Sequence, residues 1–253
     1  MTQIARISLI PIAILQFLVP ALPGLGIGEP IGDRAVEGGI PPELPPGVFF
    51  AIWGVIFSVY LGFAVLATLR PSFRTERLVV PLALVGLGNI LWMLSAQGID
   101  SKWLNAVSLW PMLAIAWWGS FRLDRMGGFD GTPASLATCA AVGLLAGWLT
   151  VAVGISLPPA VRETLGLGAT DRVWLSLWTV LVPATILASL YARFISRGLF
   201  YYVALGWGLI GIATNTWSRV ELHALGIATM VIIFIVVWQR ARRAAIGSGP
   251  RFA

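Results

Sequence analysis

Apolar residues in this 253-residue chain come in long continuous runs separated by short polar stretches. Eight runs have the roughly 20 residues that a helix needs to cross ~30 Å of hydrocarbon at ~1.5 Å per residue. The runs lack the alternation of apolar and polar positions that is typical of a membrane β-strand. The pattern therefore predicts helices over residues 7–25, 47–69, 78–97, 103–121, 135–156, 173–192, 199–216 and 222–239.

Composition supports this interpretation. The chain is 58% hydrophobic and 11% charged, whereas soluble domains carry roughly 25% charged residues. A helix in lipid satisfies its own backbone hydrogen bonds, but a soluble fold would have to expose most of this apolar surface. We predict an all-α fold, a polytopic transmembrane helix bundle in the lipid bilayer of the inner (cytoplasmic) membrane. A cleaved signal peptide is the weaker interpretation of the first run, because no convincing cleavage site follows it.

The 17 Lys and Arg residues divide unevenly between alternate loops. Five lie in one set of loops, namely Arg34, Lys102, Arg162, Arg172 and Arg219. Twelve lie in the other set and at the termini, namely Arg6, Arg70, Arg74, Arg77, Arg122, Arg125, Arg193, Arg197, Arg240, Arg242, Arg243 and Arg251. The net charge of +6 thus indicates membrane topology rather than nucleic-acid binding, and it predicts that both termini are cytoplasmic.

The loop at residues 26–46 is the longest between predicted helices, and its prolines and glycines exclude regular structure. It either connects two helices or covers a cavity, and the sequence favours neither. The tail at 240–253 is basic and is suited to contact anionic lipid.

Residues for chemistry are scarce. The middles of the predicted spans contain no Asp, Glu, Lys or Arg, which argues against a proton pump or an ion-coupled transporter. Cys139 is the single cysteine and His223 the single histidine, so a disulfide framework and a bis-histidine haem within one chain are excluded. Nucleophile and phosphate-binding motifs are also missing. We predict no catalytic residue, no metal site and no certain cofactor.

Tryptophan is abundant, with twelve residues. Position suggests interfacial anchors for Trp103, Trp117, Trp118, Trp217 and Trp238. Trp53, Trp92 and Trp148 instead lie about 8–12 Å below the outer face, and Asn89 lies one turn below Trp92 on the same face. Three indoles and an amide at one level either line a small-molecule pocket or fill the core of the bundle.

Small residues recur at intervals that allow helices to approach closely. Helix 2 has Gly54, Ser58 and Gly62, helix 5 has Gly143 and Gly147, and helix 7 has Gly206, Gly208 and Gly211. Such positions allow helices to pack either within one chain or between the two chains of a homodimer. The sequence does not distinguish between these two possibilities.

Three motifs occur in a familiar order. PPELPPGVFFAIWGVIFSVYLGFAVLATL (41–69) resembles the second helix of the tryptophan-rich sensory protein and translocator (TspO/MBR) family. GNILW (88–92) resembles the Leu-Asn-x-x-Trp of its third helix, and LLAGWLTVAVG (144–154) resembles its fifth. The resemblance divides the chain into a five-helix core, 1–157, and three additional helices with a basic tail, 158–253, as in a longer bacterial branch.

Members of that family are five-helix bundles, often dimeric, that bind porphyrins, sterol-like molecules and other flat apolar ligands beneath the first loop. The resemblance implies ligand-binding roles for Trp53, Asn89, Trp92 and Trp148, with Phe49 and Phe50 near the pocket mouth. Two departures argue against porphyrin specificity. No aromatic residue occurs from 18 to 48, and Gly154 and Ile155 replace the Leu-Asn of the fifth helix.

These observations predict a sensor or passive carrier for a tetrapyrrole, sterol-like or isoprenoid compound. One alternative is a structural subunit of a larger membrane complex. Another is an intramembrane enzyme acting on a lipid or isoprenoid through Tyr60, His223 or Glu221.

Overall fold

The computed structural model describes residues 3–31 and 41–217, and also residues 223, 226–228, 230, 231, 233–235, 237 and 238. Helices make up the regular structure of these residues, and they contain no strand. The helices are α1 (Gln3–Leu25), α2 (Gly47–Leu69), α3 (Phe73–Gly98), α4 (Lys102–Arg125), α5 (Pro133–Leu165), α6 (Val173–Ile195), α7 (Leu199–Trp217) and a shorter apolar helix, α8 (Gly226–Ile235).

Five of these helices, α1, α2, α3, α5 and α6, are long and apolar enough to cross a membrane. The other two long helices, α4 and α7, both pack against α5 in the centre of the bundle. The all-α, multi-pass fold predicted from the sequence is therefore confirmed. The eighth predicted span, 222–239, lies partly outside the described residues.

Helix α5 is the central element, and it packs against α2, α4, α6 and α7. Its predicted end at residue 156 is too early, because the helix continues through Pro158 and Pro159 to Leu165. Proline cannot donate to the helical ladder, but the extension is held by tertiary contacts of Arg162, described below. The helix ends at Gly166, whose φ of 63° is the left-handed conformation typical of a helix C-terminus.

Glycines on α5 allow α7 to approach closely. A Cβ at Gly143 would lie 2.7 Å from Cβ of Phe200, and one at Gly147 would overlap the backbone oxygen of Tyr201. The α5 stripe therefore packs within the chain. On α2, by contrast, a Cβ at Gly54 or Gly62 would meet no described atom within 4 Å.

Alternate loops meet at one end of the bundle, which we call the arginine-rich end. Arg6 of α1 pairs with Glu76 of α3 at 3.3 Å, and Arg74 pairs with Asp130 of the α4–α5 loop at 3.0 Å. Hydrogen bonds from Ser135 and Thr132, more than the charge of Arg74, hold the pKa of Asp130 well below its usual value. This geometry agrees with the predicted alternation of loops, while the compartment that each end faces stays a prediction.

The predicted interfacial tryptophans are not all alike. Trp117 points inward, where its ring lies 5.7 Å from that of Tyr191. The direction of the ring does not change its level along the helix, so its interfacial assignment stays a prediction. Its position next to Trp118 on a helix explains why the two face different directions. The other four are exposed, namely Trp103, Trp118, Trp217 and Trp238.

Candidate functional site: a tryptophan cluster near the outer end

The three tryptophans predicted at one level come together in the structure. The ring centre of Trp53 on α2 lies 5.9 Å from that of Trp92 on α3 and 6.1 Å from that of Trp148 on α5. Phe50 adds a fourth ring, 5.8 Å from Trp148 and nearly perpendicular to it. We call Phe50, Trp53, Trp92 and Trp148 the tryptophan cluster.

The members of the cluster differ in exposure. Trp148 is 1% exposed because it faces inward from the central helix. Trp53 and Trp92 are each half-buried, and Trp53 also stacks on Phe57 with ring centres 5.3 Å apart. Two of the indoles therefore present part of their ring surface at the boundary of the bundle.

Asn89 has a partner that the sequence did not suggest. Its side-chain Nδ2 donates to Oε1 of Gln16 on α1 at 3.0 Å, and both residues are fully buried. Gln16 is the one strongly polar residue in the apolar run of α1. Its presence there was the sequence signal that could have indicated a buried polar partner. The amide pair lies beside the cluster, because Asn89 is one turn from Trp92 on α3.

Four buried polar atoms around the cluster have no hydrogen-bond partner among the described residues. They are Nε1 of Trp92, Nε1 of Trp148, Oδ1 of Asn89 and Nε2 of Gln16. A buried polar group without a partner costs roughly 1–3 kcal/mol. Other unpartnered buried atoms of the described chain occur at Gln97, Asn105 and Trp117. The four atoms around the tryptophan cluster differ in that they form one group. The site thus offers two indole donors, one amide donor and one amide acceptor.

Phe49 does not join the cluster, although it was predicted at the pocket mouth with Phe50. Its ring lies 4.9 Å from that of Trp207 on α7, and its backbone oxygen accepts from Nε1 of Trp207 at 2.8 Å. Gly211 provides the space for this contact, since a Cβ there would lie 2.8 Å from the Phe49 ring. Phe49 therefore ties the start of α2 to α7.

The segment 41–46 precedes the cluster and is firmly anchored. Nδ2 of Asn215 on α7 lies within hydrogen-bond distance of three of its backbone oxygens, those of Pro41 (2.9 Å), Pro42 (3.2 Å) and Leu44 (2.9 Å). This part of the 26–46 loop is thus packed against α7, at the end of the bundle opposite the arginine-rich end, rather than being a free connection.

A buried ion pair fixes the same segment. Glu43 pairs with Arg162 of α5, and the side chains are 1% and 8% exposed. Ser176 of α6 accepts from Arg162 at 2.5 Å and donates to the second carboxylate oxygen of Glu43 at 2.8 Å. Sequence analysis missed this triad, because it assigned Glu43 and Arg162 to loops.

The two best-formed cavities of the described residues lie elsewhere. One of about 370 Å³ is lined by Ile210, Ala213, Thr214, Trp217, Met230 and Ile233. The other, of about 330 Å³, is at the arginine-rich end. The tryptophan cluster contributes no residue to either of these cavities.

Two of the three residues considered for catalysis, Tyr60 and His223, are described, and each has its own separate contacts. The hydroxyl of Tyr60 is buried and donates to the backbone oxygen of Leu82 at 2.8 Å, which ties α2 to α3. His223 stacks on Trp217, with ring centres 4.9 Å apart. Glu221 lies outside the described residues.

Comparison with known proteins agrees with this architecture. A family model described as TSPO-like protein matches residues 43–238. The chain belongs to the TSPO-like protein family. Neither a search of curated proteins nor a search of solved structures gives a match.

Membership in the TSPO-like family makes this chain a multi-pass integral membrane protein and confirms the resemblance stated from the three motifs. The match includes the second and third motifs and all but the first two residues, Pro41 and Pro42, of the first. It begins after α1 and extends over α6 and α7, whereas the motifs alone placed the resemblance in 7–157. The division at residue 157 stays a prediction, and that residue lies inside the continuous helix α5.

Proposed function

We propose that this TSPO-like protein binds a flat apolar molecule at the tryptophan cluster and acts as its sensor or passive carrier. The observation that carries the proposal is the set of four unpartnered polar atoms among the rings. Indole surface binds a flat apolar molecule by stacking and burial, while a few fixed polar groups orient it. The family membership supports this proposal, because porphyrins and sterol-like molecules are ligands of TspO/MBR relatives.

Access would run past Trp53 and Trp92, because these two rings are half-buried whereas Trp148 is enclosed. The bound molecule would contact the indole faces and accept from one or both indole N–H groups. Its polar edge would meet the free amide atoms of Gln16 and Asn89. A tetrapyrrole has carboxylate and ring-nitrogen edges suited to these groups, and an oxygenated isoprenoid or sterol-like molecule has a hydroxyl or carbonyl.

Titration of the detergent-solubilised protein with protoporphyrin, and separately with an oxygenated carotenoid, tests the proposal through quenching of tryptophan fluorescence. Trp53→Ala should weaken binding of the preferred compound roughly tenfold, because one stacking surface is lost. Trp178→Ala is the matched control, since Trp178 is an exposed tryptophan on α6. Equal affinities in the two variants would contradict the site.

The structural-subunit alternative has one observation in its favour, because Trp148 is 1% exposed and packs against Phe50 and Trp53 as a core residue does. A structural subunit should bind neither compound and should be isolated in mild detergent with a stable heteromeric partner. Saturable binding of either compound by the isolated chain favours the sensor or carrier.

A further inference from the structure

A second site candidate lies at the arginine-rich end, far along the helices from the tryptophan cluster. The start of α3 and the end of α4 line a cavity of about 330 Å³. Its lining combines three arginines with apolar side chains, namely Phe73, Arg77, Phe121, Arg122, Arg125 and Met126. The cavity is therefore cationic and apolar at once.

The three arginines of this cavity have no carboxylate partner among the described residues. Arg122 donates to the backbone oxygen of Arg77 at 2.9 Å, which ties the end of α4 to the start of α3. Arg6 and Arg74 at the same end do have carboxylate partners. Three arginines without a described carboxylate partner therefore lie together at the cavity.

Aromatic rings hold each guanidinium group. The distances from guanidinium carbon to ring centre are 4.8 Å for Arg77 over Phe73, 4.1 Å for Arg122 over Trp118 and 4.8 Å for Arg125 over Phe121. Such contacts restrain a side chain without using its in-plane N–H groups. The N–H groups of Arg77 and Arg125, and those of Arg122 that do not bond to the Arg77 backbone oxygen, stay available for the oxygens of an anion, and phosphate is a good geometric match for them.

We propose that this cavity binds the phosphate of an anionic glycerophospholipid. It lies where the apolar span of α3 begins, which is the level of lipid headgroups. Phe121, one turn inward of Arg125 on α4, would contact the upper part of the acyl chains. Below Arg77 on the same face of α3, Val80 and Leu84 are exposed and continue the apolar surface. A free phosphate ion would use the arginines but none of these apolar contacts.

The test uses the full chain in nanodiscs of phosphatidylcholine with a minor fraction of phosphatidylglycerol. Lipids that stay bound after transfer to detergent are counted by native mass spectrometry. The wild type should retain phosphatidylglycerol over phosphatidylcholine, and Arg77→Gln with Arg125→Gln should reduce this preference roughly tenfold or more, since each arginine contributes ~1 kcal/mol near a membrane surface.

The matched control is Arg70→Gln with Arg193→Gln. It removes two exposed charges from the same end but outside the cavity. An equal loss of preference in the control would show a general surface field and overturn the site, as would a wild type without preference. Displacement of the retained lipid by excess inorganic phosphate, with no difference between phosphatidylglycerol and phosphatidylcholine, would show a phosphate site and overturn the lipid assignment.

Discussion

The bundle contains two clusters of large aromatic side chains, and they are built differently. The tyrosine cluster, Tyr191, Tyr201 and Tyr202, is buried between α6 and α7. Tyr191 and Tyr201 stack almost in parallel with ring centres 3.5 Å apart, and the hydroxyl of Tyr201 lies 3.1 Å from that of Thr150 on α5. This is the geometry of a packed core, and the close approach of α7 at Gly147 makes it possible.

The tryptophan cluster is less enclosed. Its ring spacings of 5.9 Å and 6.1 Å are similar to the 6.4 Å between Tyr191 and Tyr202, but Trp53 and Trp92 are only half-buried. The indole N–H groups of Trp92 and Trp148 are buried without a partner. Aromatic content alone therefore does not identify a site. Trp117 beside the tyrosine cluster is also half-buried with an unpartnered indole N–H, so the set of four such atoms is what makes the tryptophan cluster the candidate site.

The largest expected effect comes from the anchor above the tryptophan cluster. Glu43→Gln should lower the free energy of unfolding by about 3–5 kcal/mol, because it leaves Arg162 buried without a counter-charge. Thermal unfolding in detergent measures this, and Glu163→Gln is a control at an exposed glutamate next to Arg162. Phe50 follows this segment and contacts Trp148, so release of the segment should also change tryptophan fluorescence.

The double variant Glu43→Leu with Arg162→Leu should recover most of that stability, because apolar residues often replace a buried ion pair without loss. A double variant as unstable as Glu43→Gln would show that the geometry of the ion pair, rather than its charge balance, holds the segment.

Tight packing of the tyrosine cluster is tested at Gly147. Gly147→Ala should destabilise the protein by about 3 kcal/mol, because the added methyl group overlaps the backbone oxygen of Tyr201. Gly206→Ala is the matched control on α7, where a Cβ meets no atom within 4 Å. Similar melting temperatures for the two variants would mean that α5 and α7 do not approach as described.

The amide pair beside the tryptophan cluster predicts a smaller effect. Asn89→Leu should cost about 1–3 kcal/mol because Gln16 loses its partner in the core. Gln16→Leu with Asn89→Leu should come within about 1 kcal/mol of wild type, since both partners are then apolar. If the double variant is as stable as predicted yet binds protoporphyrin or the carotenoid as wild type does, the amides do not orient the ligand.

Removing one hydroxyl from the tyrosine cluster should have the smallest effect. Tyr201→Phe should lower stability by about 1 kcal/mol through loss of the contact with Thr150, and ligand affinity should not change. Altered ligand affinity in thermally stable Tyr201→Phe protein would show that the two clusters are coupled. It would contradict the expectation that only the tryptophan cluster affects ligand binding.

Hydrophobic patterning predicted the helices well, because span length and turn residues are local properties. It also placed Trp53, Trp92 and Trp148 at one level, since depth follows from the rise per residue. The continuation of α5 past Pro158 was missed because contacts from distant segments outweigh the local cost of proline.

The partners of the site residues could not be predicted in the same way. Glu43 and Arg162 are 119 positions apart, and Gln16 and Asn89 are 73 apart. Such pairs depend on which helix faces pack together, and hydropathy does not encode this. Phe49 and Phe50 are adjacent in sequence, yet only Phe50 contacts a cluster tryptophan, because neighbouring residues on a helix face different directions.

The central claim is tested most directly by the indole N–H signals of Trp92 and Trp148 in nitrogen-15-labelled protein, assigned with Trp92→Phe and Trp148→Phe. Addition of the compound preferred in the fluorescence titration should shift one or both signals, because its polar edge supplies the acceptor that these groups lack. The signal of exposed Trp178 should stay in place. Saturable binding that leaves both cluster signals unmoved would contradict the tryptophan cluster as the ligand site.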